Sequence, residues 1–205
     1  MIRRSGVVRR LGALAGAVLA LALLGGWGGD GHRAITQVAI DLLPEGTPAW
    51  LRDESVIEQI AYQSQEPDRW RGTDRDALRH ENNPDHYFDV ELIEPLGLKM
   101  ETLPEGRYDF VMLLGQALPA EISEEAPGED DLTPERVGMA PWAVAEHHAK
   151  LVSSFSTLRM LEALDDPARA QQMEAARANV IRTMGQLSHF VADLAQPLHT
   201  TVHHH

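Results

Sequence analysis

Two stretches near the C-terminal end, "APWAVAEHHAKLVSSFSTLRMLEAL" at 140–164 and "PARAQQMEAARANVIRTMGQLSHFVADLA" at 167–195, limit the possible folds more than any other feature. Each reads as a long helical pattern, rich in helix-forming and apolar residues. The intervening "DDP" supplies a stop and a start. Aromatics are only 5% of the chain, so Leu, Ala, Val and Ile must build the core, a composition that suits helices better than sheets. Nothing elsewhere reads as a strand and no internal repeat is visible. The expected fold class is all-α, a single-domain irregular helical bundle, since 205 residues bury one sizeable core.

The rest of the chain is less regular. Ile35, Val38, Ala39, Leu42 and Leu43 predict a helix over 33–43 that Pro44 ends. Thr47 with Pro48, then Asp53, offer two starts for a helix running to about Ser64. Residues 65–98 show no period and contain Pro67, Pro84 and Pro95, so they read as mostly loop. A helix is expected over 107–118, followed by an acidic surface loop, "PAEISEEAPGEDDLTPER", that carries no chemistry.

The first 26 residues join a basic segment, "MIRRSGVVRR", to the 16-residue apolar run "LGALAGAVLALALLGG". A membrane span takes about 20 apolar residues and a basic flank, whereas "WGGDGH" follows here, so the pattern is that of a secretory signal peptide. "ALA" at 20–22 suits cleavage after Ala22, whereas cleavage after Gly26 has a small last residue but Leu24 two before it, and the doubled arginines at 3–4 and 9–10 permit a twin-arginine route. The expectation is a periplasmic or secreted domain over 27–205 with no transmembrane anchor.

The chain carries −13 formal charges, and residues 1–26 hold four arginines and no acid, so the exported part is more acidic still. Such a surface repels polyphosphate and anionic membranes, and a polyanionic substrate would need metal ions to approach. Cysteine is absent, which excludes thiolate metal sites, disulfides, a thiol nucleophile and a lipoprotein anchor. Any metal must bind through His, Asp, Glu or main-chain groups.

"HFVADLAQPLH" at 189–199 meets that requirement. Phe190, Val191, Leu194 and Leu198 serve a core, but a core explains neither imidazole. His189 and Asp193 are four apart and so share one helix face a turn apart. Alone, such a couple is more often a surface ion pair. Pro197 breaks the helix and lets His199 face back toward its end, which fits a cluster of metals better than one isolated site.

This stretch resembles the signature of the zinc-dependent phospholipase C and single-strand-specific nuclease superfamily, of the nuclease S-one and P-one type: a His, a bridging Asp four on, then Gln-Pro-Leu-His. The resemblance implies an all-helical, secreted protein with three zinc ions in a cleft. Mature chains of that family begin with Trp and carry a His soon after, matched here by Trp27 and His32 in "WGGDGH". A free α-amino group, with a reference pKa of roughly 7.7–8.0, yields its proton to a metal at little cost, and only cleavage before Trp27 would create it. "EPDRWR" places Asp68 at the family's first aspartate ligand, and "HYFD" places His86 at a histidine ligand and Asp89 at a substrate-side acid. Taken singly, Asp68 fits a turn cap or a partner for Arg69 or Arg71, His86 a core histidine, and Trp27 a core or membrane-interface aromatic. "GMAPW" at 138–142 also resembles bacterial members but supplies no ligand.

By resemblance, one zinc is held by Asp68, His86, His189 and Asp193, and a second by the Trp27 amine and carbonyl, His32 and Asp193. Asp193 then bridges, and Asp68 and Asp193 serve the catalytic pair of ions, which supplies a nucleophile for in-line attack on phosphorus. The third zinc takes His199, a later histidine and an acid four residues beyond. The chain ends in "TTVHHH", so two sites are completable, and a C-terminal truncation is expected, with His203, His204 and His205 either natural or a tag remnant.

The expected function is a secreted, monomeric zinc-dependent phosphodiesterase, an endonuclease on single-stranded DNA or RNA with no stable nucleic-acid partner. The alternatives are a phospholipase C acting on phospholipids and a non-catalytic periplasmic zinc-binding protein. Tyr62, Trp70, Tyr87 and Phe88 are candidates for a stacking site or an apolar rim.

Overall fold

The computed structural model describes residues 29–117 and 134–203. The signal-peptide reading, Trp27, most of the acidic loop and His204–His205 lie outside the described residues. Within them the protein is all-α, with eight α-helices and no strand: α1 (Gly29–Asp41), α2 (Glu54–Gln63), α3 (Glu66–Arg71), α4 (Asp76–Asn82), α5 (Arg107–Ala117), α6 (Pro134–Val137), α7 (Ala140–Leu164) and α8 (Ala170–Ala195). None is long and apolar enough to cross a membrane.

The frame is the pair α7 and α8. Asp165 ends α7 in the left-handed region (φ 45°), and the Asp166 carboxylate then accepts from Ala168 N, capping the short 3-10 turn Pro167–Arg169 that starts the return. With so short a link, the two helices run antiparallel and pack along their length, and α1, α2 and α3 also pack on α8.

Two apolar clusters flank the middle of α8. In one, Ile40, Leu51, Ile60 and Leu158 close on Ala176 and Val180. In the other, the Phe110 and Trp142 rings stack at 3.9 Å with Phe88 set edgewise against Trp142. Full burial of each such side chain contributes about 1.5–3 kcal/mol. Between the clusters α8 turns polar groups inward: Gln186, His189 and Asp193 are all buried.

Residues 65–98 are not mostly loop. They form α3, α4 and the 3-10 turns Asn83–His86, Val90–Leu92 and Glu94–Leu96. Pro67, Pro84 and Pro95 lie in the first positions of their turns, where a missing N–H costs nothing, so prolines that read as breakers are starts. Helices of six and seven residues are also too short to display a 3.6-residue period. Phe190 is core as expected, but Val191 and Leu198 are exposed, because the inward face at that level is given to His189 and Asp193.

After His86 the chain is extended and pinned on both sides. Phe88 N donates to His199 O at 2.9 Å and Ala140 N donates to Tyr87 O at 3.1 Å, with Phe88 bridged to Gly138. Gly138 has φ 89°, and a Cβ there would sit 2.1 Å from Tyr87 O, so the "GMAPW" glycine is required by backbone approach.

Candidate metal centre

Four elements converge on Asp193. On α8 itself, His189 Nε2 lies 3.2 Å from Asp193 Oδ2, the contact that a spacing of four predicts. His86, at the end of its 3-10 turn, puts Nδ1 3.0 Å from the same oxygen and 3.0 Å from His189 Nε2. His32 on α1 puts Nε2 3.4 Å from Asp193 Oδ1. Past α8, Gln196 is extended and the turn Pro197–His199 brings His199 Nε2 to 3.9 Å from Oδ1. The carboxylate thus has a divided role: Oδ2 faces His86 and His189, and Oδ1 faces His32 and His199.

Asp68 on α3 completes the ring, with Oδ1 3.9 Å from His86 and Oδ2 3.9 Å from His32. It is 34% exposed, whereas His32, His86, His189 and Asp193 are all within 2% of full burial. The cluster therefore opens to solvent on the Asp68 side.

The donor set fits a metal ion. Ligands held at roughly 2.0–2.1 Å in a tetrahedron lie about 3.3 Å from one another, and the 3.0–3.4 Å separations around Asp193 bracket that edge. Two groups have ligand atoms mutually within 4.8 Å, His32 with Asp68 and His189, and His86 with His189 and Asp193. They share His189, whereas the family pattern shares Asp193. His199 reaches Asp193 but belongs to neither group.

Backbone carbonyls set the imidazoles. His189 Nδ1 donates to Ser64 O at 2.7 Å, and His199 Nδ1 donates to His86 O at 2.7 Å. A carbonyl only accepts, so each Nδ1 carries a proton and each ring turns its Nε2 toward the cluster. His86 is oriented the other way round, with Nδ1 inward and a buried Nε2 that has no hydrogen-bond partner among the described residues.

Charge is arranged for the same purpose. Burial, then the proximity of the His189 imidazole, pushes His32 down to about 4, against the opposing pull of Asp193 and Asp68. Burial likewise lowers His86, more than its hydrogen bond to Asp193 raises it. For Asp193 burial alone would raise the pKa, but the hydrogen bonds and charges of His189 and His86 prevail and hold it well below the usual carboxylate range. At neutral pH the site holds neutral His32 and His86 beside an ionised Asp193, the protonation states metal binding requires.

The remaining expected site residues separate. Asp89 is buried at the end of the pinned segment, its N–H on Val137 O, and joins neither ligand group. Its charge, after burial, helps raise the Tyr87 hydroxyl to about 12. Phe88 is in the apolar core and unavailable for stacking, and exposed Tyr62 lies under the Arg69 guanidinium. Arg71, which the sequence offers only as a partner for Asp68, places its positive charge on both His86 and Tyr87, and the Ser64 carbonyl has no counterpart in the sequence expectations. No family model, curated protein or solved structure matches the chain.

Proposed function

We propose that this chain is a secreted zinc-dependent phosphodiesterase that cleaves single-stranded DNA or RNA. The observation that carries the reading is the convergence of His32, Asp68, His86, His189 and His199 on Asp193, residues that the resemblance names together although up to 167 positions separate them. Four imidazoles and two carboxylates without thiolate favour zinc over the hard, oxygen-seeking magnesium and calcium. Zinc bound there supplies Lewis acidity toward a phosphoryl oxygen and a nucleophile at neutral pH.

The chain's own residues do the rest. Asp193 presents an oxygen to each half of the cluster, and the Ser64 and His86 carbonyls hold His189 and His199 in the ligating tautomer. Asp68 stands on the exposed side, where a phosphodiester enters. Arg71 brings a positive charge that acts on His86, and this charge orients the anionic substrate against an otherwise acidic surface. The basic and apolar run of residues 1–26 supports export.

The test uses protein beginning at Trp27, purified from zinc-replete cells, with elemental analysis and turnover on single-stranded DNA, RNA and a phosphatidylcholine analogue. About two zinc ions per chain and cleavage of single strands are expected. Less than one zinc per chain rejects the reading. Turnover of the lipid analogue alone makes the protein a phospholipase, and tight zinc without turnover makes it a zinc-binding protein.

A further inference from the structure

A cavity of about 620 Å³ lies between α7 and α8, on the N-terminal side of His189 along α8. His147, Lys150 and Ser154 line it from α7 at helical steps of three and four, and Arg182 and Gln186 line it from α8 at a step of four. Volumes of roughly 300–1,000 Å³ are those of small-molecule sites.

The floor is polar and buried. Gln186 is 6% exposed, and its Nε2 has no hydrogen-bond partner among the described residues. His147 is 8% exposed, and its Nδ1 donates to Ala143 O at 3.0 Å, which leaves Nε2 as an acceptor. Burial and the nearby Lys150 charge push His147 down to about 4, so the ring is neutral. The floor therefore offers one unpaired donor and one acceptor.

The rim carries charge of both signs, but not equally free. Asp85 and Glu146 are both taken up by Arg107, whose Nε and Nη2 donate to Glu146 at 2.8 and 2.9 Å and whose guanidinium pairs with Asp85. Glu81 is exposed. Lys150 and Arg182, exposed and on facing helices, make no ion pair among the described residues. Two unpaired cations against one unpaired acid, Glu81, leave this cavity a local excess of positive charge on a chain with −13 formal charges, which favours an anion there. Trp70, partly buried, adds an aromatic wall.

We propose that this groove is a second binding site, separate from the His/Asp cluster, for a nucleoside monophosphate: Lys150 and Arg182 take the phosphate, Gln186 and His147 take a donor–acceptor edge of the base, and Trp70 flanks it. The inference stands on the groove alone and holds whatever the cluster catalyses. A base offers the paired donor and acceptor that the floor lacks, and a ring to lie on an indole.

Isothermal titration of the full chain with adenosine monophosphate tests it, with adenosine and inorganic phosphate as separate arms. The monophosphate should bind saturably, and each fragment at least about tenfold more weakly. Lys150→Glu and Arg182→Glu, both at exposed positions that folding tolerates, should each weaken the monophosphate about tenfold with bound metal unchanged. Asp193→Asn should lose metal and keep the monophosphate affinity, which separates this site from the cluster. The proposal is overturned by absence of saturable binding at millimolar ligand, by indifference to both charge reversals, or by inorganic phosphate binding as tightly as the monophosphate.

Discussion

Asp193 is the residue on which the centre depends, because each of its oxygens faces a different pair of imidazoles. Asp193→Asn removes the charge and replaces one acceptor oxygen by a donor, so it disturbs both halves, whereas His199→Ala removes a ring 23% exposed and peripheral to both ligand groups. The expected outcome is that zinc per chain falls further in Asp193→Asn than in His199→Ala, measured by elemental analysis after identical dialysis. Equal losses would argue that Asp193 serves one side only. How much of the site the sequence discloses follows from the same residues. His189, Asp193 and His199 are legible from local spacing, since a helix converts a step of four into adjacency. Asp68, His86 and His32 are distant in the chain and stand out only through the resemblance. The Ser64 carbonyl carries no residue-type signature at all, and Val191 and Leu198 read as core because apolar character does not tell which side of α8 faces inward.

At the scale of elements, the orientation of His189 is decided where α2 crosses α8. Gly185 lies at that crossing, and a Cβ there would stand 2.5 Å from Gln63 Cβ and 2.5 Å from Ile60 O. Gly185→Ala presents two opposed effects. Alanine favours the helix by up to about 1 kcal/mol, but the backbone of α2 must move, at about 1–3 kcal/mol for overpacking. Displacement prevails because the obstacle is main chain. Since Ser64 caps α2 and its carbonyl holds His189, the variant should unfold at lower temperature and also bind zinc about 10–100-fold more weakly. Calorimetry with a zinc titration checks both, and a stabilised variant of unchanged zinc affinity would show that the helices are not in contact there. The same scale shows why α7 and α8 are readable and α3 and α4 are not. The long pair extends over 25 and 26 residues with few helix breakers inside and a clear stop and start between them, and the short pair is fixed by what it packs against, with prolines acting as starts.

For the whole molecule, the buried histidines make the metal-free fold sensitive to acid. His32 and His147 are both lowered from 6.5 to about 4, His32 by burial and His189, His147 by burial and Lys150. In the unfolded chain these rings take up protons as pH falls through about 6.5, while in the folded protein they stay neutral until about 4, so acidification favours unfolding across that window. Lowered His86 acts in the same direction, and Asp85, raised by burial against the pull of Arg107, acts in the opposite one only near the carboxylate range. One pKa unit is about 1.4 kcal/mol, and after allowance for solvent screening each of the two rings accounts for about 1–2 kcal/mol. Chelator-treated protein should therefore lose about 2–4 kcal/mol of stability between pH 7 and pH 4.5, read from urea midpoints at constant slope. The contacts of His147 are with Ala143 and Phe190 and not with a proposed metal-ligating residue, so His147→Leu should flatten part of that slope without changing zinc content. With zinc restored, His32 and His86 give up their protons' places to the metal, and the loss should begin at lower pH and run more steeply as metal and fold go together. A metal-free stability that is level or increases on acidification would mean that these histidines are solvated in solution, and the buried cluster on which the proposed function rests would go with them.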